Sequence, residues 1–275
     1  MVFNTMRTIY NLKLQTANLF GKKYKPLPNT TLNEKFGIYP NYDIDSEINP
    51  RLNLLTIGIG GQTVLDTSVT DLRKPRHSVK DGALFKHVPF IIRPVDNDLT
   101  DTERLKYRLR KLVTTPEQDY YFYYGRVIGD DLMYYDNIYK INSPVSTFNT
   151  GKYDTGLDGS ILNPSPVIGN MMDTDNLSYL LNMCKIKFYL NDEEIESIKT
   201  AINILYPGEN VSNITEIGVC SSLDIDVEYG KEAIWVQLNY FYDVDMDLQI
   251  LFNLYNKNSN FILEVGGMEP LVVGS

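Results

Sequence analysis

Histidine is nearly absent from this chain, which carries only His77 and His87. A His-dependent nucleophile would have to recruit one of these two, and neither a Gly-x-Ser-x-Gly elbow nor a papain-like cysteine context accompanies them. Cysteine is as scarce: Cys184 and Cys220 are too few for a disulfide framework and too isolated for the paired spacing of a zinc site. Both lie in apolar, strand-like runs where a free thiol behaves as a small hydrophobe, so both are expected buried and reduced. No apolar run approaches the ~20 residues a membrane span needs. Met1 to Gly21 lacks the charged-then-apolar pattern of a leader, which predicts a soluble protein made in a reducing compartment. Positive charge is also short, with 26 Lys and Arg against 35 Asp and Glu, a net charge of -9. That balance disfavours direct contact with nucleic acid, which needs clustered cations to displace counterions.

What is present is an ordinary globular share of hydrophobic residues, 43%, and an excess of tyrosine, 20 residues against 11 Phe and one Trp. Tyrosine joins a rigid apolar body to a polar tip, which suits sheet faces and protein interfaces alike.

The order of elements predicts an α+β fold with mixed, mainly antiparallel sheets, a few short helices and long extended arms. Residues 1–50, punctuated by Pro26, Pro28, Pro40 and Pro50, read as an extended N-terminal arm in which only Met6 to Phe20 offers a short helix. Residues 51–141 read as a β-rich domain with one helix. Its first strand, Leu52 to Ile59, ends in Gly58-Ile59-Gly60-Gly61, which lacks both the third glycine and following helix of a dinucleotide loop and the Gly-Lys-Ser/Thr of a Walker loop. It reads instead as a turn or bulge. The basic stretch from Asp71 to His87 reads as a solvated loop, and Val88 to Val95 as a short strand bounded by prolines. Thr100 to Glu103 forms a capping box. The spacing of Leu105, Leu109 and Leu112 continues it as a helix whose exposed face carries Arg104, Lys106, Arg108, Arg110 and Lys111. Residues 119 to 141 read as a hairpin turning at Gly129-Asp130. Residues 142–172, rich in Asn, Ser, Pro and Gly, read as a linker or long loop. Residues 173–275 read as an α+β domain. Its elements are a strand over Lys185 to Leu190, a helix capped by Asn191 and ending at Pro207-Gly208, and strands over Ile214 to Cys220, Ala233 to Tyr242 and Asn260 to Val265.

Carboxylates form the one chemically suggestive pattern. Asp224, Asp226 and Glu228 alternate, as do Asp243, Asp245 and Asp247, so each set would share one face of an extended strand. Two such rows could hold a hard cation such as calcium. The second row lacks the central Gly and the Glu of an EF-hand loop, and negative charges that block strand addition at a sheet edge explain both rows. No catalytic, cofactor-binding or metal-ligating residue is therefore assigned, and no cofactor.

The run Ile214-Thr215-Glu216-Ile217-Gly218-Val219, followed by Glu232-Ala233-Ile234-Trp235-Val236-Gln237-Leu238, resembles stretches of baseplate and tail-fibre-attachment proteins of tailed bacteriophages. The resemblance covers about 30 residues. It implies a non-catalytic structural subunit of a virion, in its neck, tail or baseplate, assembled in the host cytoplasm. Its partners would be other virion structural proteins, in a symmetric multi-subunit ring without membrane, joined through arms and Tyr-rich surfaces. The alternative is a β-rich carbohydrate- or cell-surface-binding module, in which tyrosines stack on sugars and the acidic rows bind calcium.

Overall fold

The computed structural model describes residues 4–60, 77–129, 132–142, 148–152, 178–208, 213–228, 230–243 and 260–271. In chain order the strands are β1 (Asn4–Arg7), β2 (Arg51–Gly58), β3 (His87–Val88), β4 (Ile91–Pro94), β5 (Tyr107–Thr114), β6 (Asp119–Val127), β7 (Leu132–Asn142), β8 (Phe148–Lys152), β9 (Ser178–Tyr189), β10 (Glu216–Val227), β11 (Gly230–Asp243) and β12 (Asn260–Leu271). The helices are α1 (Ile9–Leu19), α2 (Leu32–Phe36), α3 (Asp101–Arg104) and α4 (Asp192–Leu205). The fold is α+β, with antiparallel strand pairing and short helices.

The chain divides into two compact units, one of residues 1–129 with 189–260 and one of residues 130–188 with 261–275. This partition interleaves segments that the sequence places in separate domains. In the larger unit an eight-stranded sheet runs β1-β11-β10-β2-β6-β4, with β3 added to β2 and β5 to β6. The smaller unit holds a four-stranded sheet ordered β12-β9-β7-β8. β8 falls within the segment read as a linker, where it pairs with β7 from Ile138↔Lys152 to Asn142↔Phe148.

Residues 4–50 are not an arm. β1 adds to the edge of β11, with Asn4 opposite Asp243 and Arg7 opposite Tyr240. Leu14, Tyr24, Leu32, Phe36 and Ile38 are all buried. These residues are not periodic because most reach the core from loops and one-turn helices rather than from one helical face. Local chemistry still shapes the segment. Thr31 and Glu34 close a capping box on α2, and Gly37, at φ 70°, ends that helix in the left-handed region glycine tolerates.

The expected long basic helix is corrected to a single turn. Thr100 and Glu103 make the predicted capping box, yet α3 stops at Arg104 and the chain enters β5. Leu109 alone of the three leucines is buried, while Leu105 and Leu112 stay exposed. The backbone at Leu109 sits at φ 57°. The buried carboxylate of Glu232 accepts from the Leu109 amide at 2.6 Å and the Arg110 amide at 3.2 Å, holding this stretch of β5 against β11. Nor is the basic face solvated throughout: Arg104 and Arg108 are buried, and Arg110 stacks 3.6 Å over the Tyr121 ring.

The expected hairpin over 119–141 does not form either. β6 is occupied along both edges, by β5 on one side and by β4 and β2 on the other, so β7 has no edge to join and pairs instead with β8 and β9. α4 begins as predicted, with Asn191 and Glu194 reciprocally capped. Ile195, Ile198, Ala201 and Ile202 give it a buried stripe at helical spacing. The alternation read along β11 resets twice, because the β10–β11 register shifts between Val219 and Cys220 and again between Ser221 and Leu223. Val236 and Leu238 consequently join the main core with Phe36, Leu54, Phe122 and Phe241, whereas Ile234 packs with Leu223 and Ile225 in a smaller cluster.

Arg108 donates from Nε and Nη2 to both oxygens of Asp224, at 3.2 and 2.9 Å, and from Nη1 to the carbonyls of Leu105 and Tyr107, both at 2.9 Å. Asp224→Ala strands a buried guanidinium, so urea denaturation should read a loss of about 3 kcal/mol.

Candidate functional site

Glu216 is a buried carboxylate with four polar partners. It opens β10 and is 1% exposed, set between apolar residues of the Ile214 to Val219 run. One oxygen accepts from the Phe85 amide at 2.9 Å and lies 2.6 Å from His77 Nε2. The other accepts from the amides of Gly60 at 2.8 Å and Lys86 at 3.3 Å. His77 Nδ1 lies 3.3 Å from Asp81, and its ring stacks on Phe85 and lies against Phe241. The result is a Glu-His-Asp chain, buried at Glu216 and His77 and reaching the surface at Asp81.

The geometry explains the glycines at the end of β2. A Cβ on Gly58 would lie 2.6 Å from a Glu216 oxygen and 2.8 Å from the Lys86 carbonyl. A Cβ on Gly60 would lie 2.4 Å from Phe85 Cβ and 2.7 Å from the same carboxylate oxygen. The Gly60 amide does cradle an anion, as glycine-rich loops do, but the anion is an internal side chain. Thr215 completes the corner by donating its hydroxyl to the Gly60 carbonyl.

His87, read as part of a solvated loop, is also buried. Its Nε2 accepts from the Leu84 amide at 2.9 Å, which leaves the proton on Nδ1. Burial, helped by the charges of Lys35 and His77, pushes its pKa down to about 3. Cys220 is buried and free, and burial pushes its thiol up to about 12, so it is an inert thiol.

The first acidic row keeps its strand alternation, with Asp224 and Asp226 outward and Ile225 inward. Its acids serve cations of the chain itself: Asp224 binds Arg108, and Asp226 lies 3.7 Å from Lys231. Asp243 ends β11, and Asp245 and Asp247 lie outside the described residues. Among the described residues, no three His, Cys, Asp or Glu side chains are grouped to hold a metal ion.

Two surface features were not singled out from sequence. One is the outer face of α1, an open groove of about 600 Å³ lined by Ile9, Leu12, Thr16, Ala17 and Phe20 and rimmed by Lys13 and Lys22. The other is a cleft around Trp235, bordered by Tyr39, Tyr42, Lys25 and Asp43. The weak helical spacing of residues 6–20 carried a signal for the first, since apolar positions fall on more than one side of the helix. Nothing local signals the second, which joins residues about 200 positions apart.

A family model described as a family of unknown function, DUF7208, matches residues 2–275, and the chain belongs to that family. No curated protein and no solved structure matches it.

Glu216→Gln keeps the volume but replaces an acceptor-only group with one that must turn a donor toward buried amides. Chemical denaturation should show a loss of about 3 kcal/mol. His87 predicts a separate pH dependence. The unfolded chain, with an imidazole near its ordinary ~6.5, binds more protons than the folded one at any pH between that value and about 3. Stability therefore falls as pH drops through this window, by about 1.4 kcal/mol per unit from this group. Urea midpoints at pH 7, 6 and 5 should show the slope in the parent chain and a shallower one in His87→Gln.

Proposed function

We propose that this member of the DUF7208 family is a non-catalytic structural subunit of a phage virion, a neck, tail or baseplate component that joins neighbouring subunits. The outer face of α1 carries the reading. Leu12, Leu19 and Phe20 are 45%, 82% and 67% exposed on one short helix and its C-cap. Withdrawing them from water is worth ~25 cal/mol per Å², a gain realised only against another surface. Exposed Tyr39, Tyr42 and Tyr189 add amphipathic rings suited to protein contacts.

The buried titratable groups support the non-catalytic part of the reading. Glu194, Glu216 and Glu232 are each engaged with backbone amides or buried partners that hold segments of the larger unit together. The sequence resemblance supplies the virion setting, with other virion proteins as partners, ring symmetry as the arrangement and the host cytoplasm as the place of assembly. Lys13 and Lys22 favour an acidic neighbouring surface at the α1 face, which a second copy of a chain of net charge -9 could itself offer.

Amine-reactive cross-linking of purified particles, read by mass spectrometry, tests the assignment. Lys13 and Lys22 should link to other chains, and Phe20→Glu should fold normally yet fail to incorporate. Absence of the chain from particles, or links confined within one chain, would reject the reading.

A further inference from the structure

The second surface feature lies apart from the α1 groove and shares no lining residue with it. Two adjoining hollows, of about 400 and 250 Å³, meet at Trp235, Lys25 and Asp43. Tyr39 and Tyr42 stand beside them, 44% and 40% exposed, with ring centroids 6.0 Å apart and planes at 89°. The two tyrosines thus form an open aromatic corner rather than a closed stack.

The backbone is bent to make this arrangement. Among the described residues, four other than glycine adopt positive φ, and two of them, Tyr39 at 46° and Trp235 at 54°, line the cleft. Bulky side chains adopt this region only under strain, and such strain persists where the surroundings enforce it, often at binding sites. Here the β10–β11 register shift brings Trp235 out of strand alternation. Trp235 then packs, as Ile44 and Val227 do, against the Leu223, Ile225 and Ile234 cluster. Trp235 Nε1 donates to the Tyr42 carbonyl at 3.1 Å, tying the tyrosine loop to the strand.

The polar lining carries both signs of charge. Lys25 pairs with Asp43 at 2.5 Å, and Lys23 pairs with Asp45, all four well exposed. Exposed pairs of this kind contribute little to folding, so their donors and acceptors are available to a ligand at small cost. Two cations beside three anions, Asp43, Asp45 and Glu34, create no positive field to attract phosphate or nucleic acid. An apolar ligand would leave both pairs poorly solvated. A sugar ring meets both demands, because its C–H face lies on aromatic rings while its hydroxyls both donate to carboxylates and accept from ammonium groups.

We infer that the Trp235 cleft is a binding site for uncharged carbohydrate, with Trp235, Tyr39 and Tyr42 as the stacking platform and Lys25 and Asp43 as the hydroxyl-binding groups. The site needs no calcium and no acidic row. It goes beyond the assembly reading and stands whether or not the chain is a virion subunit.

Trp235 is the only tryptophan of the chain, so intrinsic tryptophan emission reports this cleft alone. The full chain is titrated with maltohexaose, cellohexaose, xylohexaose and chitohexaose, with a decaproline peptide as the competing aromatic-groove ligand. At least one oligosaccharide should change the emission saturably, and Tyr39→Ala with Tyr42→Ala should weaken that binding roughly tenfold while leaving the far-ultraviolet circular dichroism unchanged. Silence across all four sugars, a response indifferent to loss of both tyrosines, or saturation by decaproline instead would each overturn the inference.

Discussion

The larger unit depends on a single buried anion. Glu216 gathers the end of β2, the segment before β3 and the start of β10 around two oxygens, accepting from three backbone amides and meeting His77. The ladders already place Glu216 opposite Gly58 and Gly58 opposite His87, and the carboxylate carries that contact past the strand ends to residues 60, 77, 85 and 86. Gly58 and Gly60 leave the space it occupies, and the His77 ring seals it against Phe85 and Phe241. A buried carboxylate without such partners would carry a desolvation penalty of several kcal/mol, so the amides and the carboxylate are needed together.

The same device recurs. Glu232 accepts from the amides of Leu109, Arg110 and Ala233, and burial still pushes its carboxyl above the ordinary value, the amides and Arg108 pulling the other way. Glu194 caps α4 and accepts from the Tyr107 hydroxyl at 2.9 Å. Asn33 does without charge what these acids do with it. Its side-chain amide donates to the carbonyls of Ile38 and Ala233, and its oxygen accepts from the Val236 amide. At Leu109, Ala233 and Val236 the backbone departs from simple pairing, and a side chain from elsewhere supplies the missing partner, as buried polar groups require.

This pattern explains what could be read from the sequence. The boxes at Thr100 and Asn191 were legible because a capping box lies within four consecutive residues, β2 and β11 because each is a long apolar run, and α4 because its apolar residues keep a helical period. The length of the helix after Thr100 was not, since Glu232, 123 positions away, binds the Leu109 amide in an extended segment. Glu216 stood in plain sight within an apolar strand, the one local sign of a buried acid. The ligands that make it a hub come from residues 60, 77, 85 and 86, which no spacing rule connects to it. The Trp235 cleft was hidden for a related reason, as a register shift visible only in the paired strands decides which way that side chain stands.

The pairing of β1 with β11 sets an order on biosynthesis. Thr8 bonds the carbonyl of Leu238 across 230 positions, so β1 waits for a strand made much later. Loop closure over such a span is slow relative to hairpins such as β5–β6, which form from neighbouring residues. During that interval α1 stands with Leu14 as well as Leu12 and Phe20 open to water, so a helix with one greasy side in the finished protein has two in the nascent one. Chaperone demand and misassembly risk should therefore concentrate at β1 and α1, although they are made well before β11.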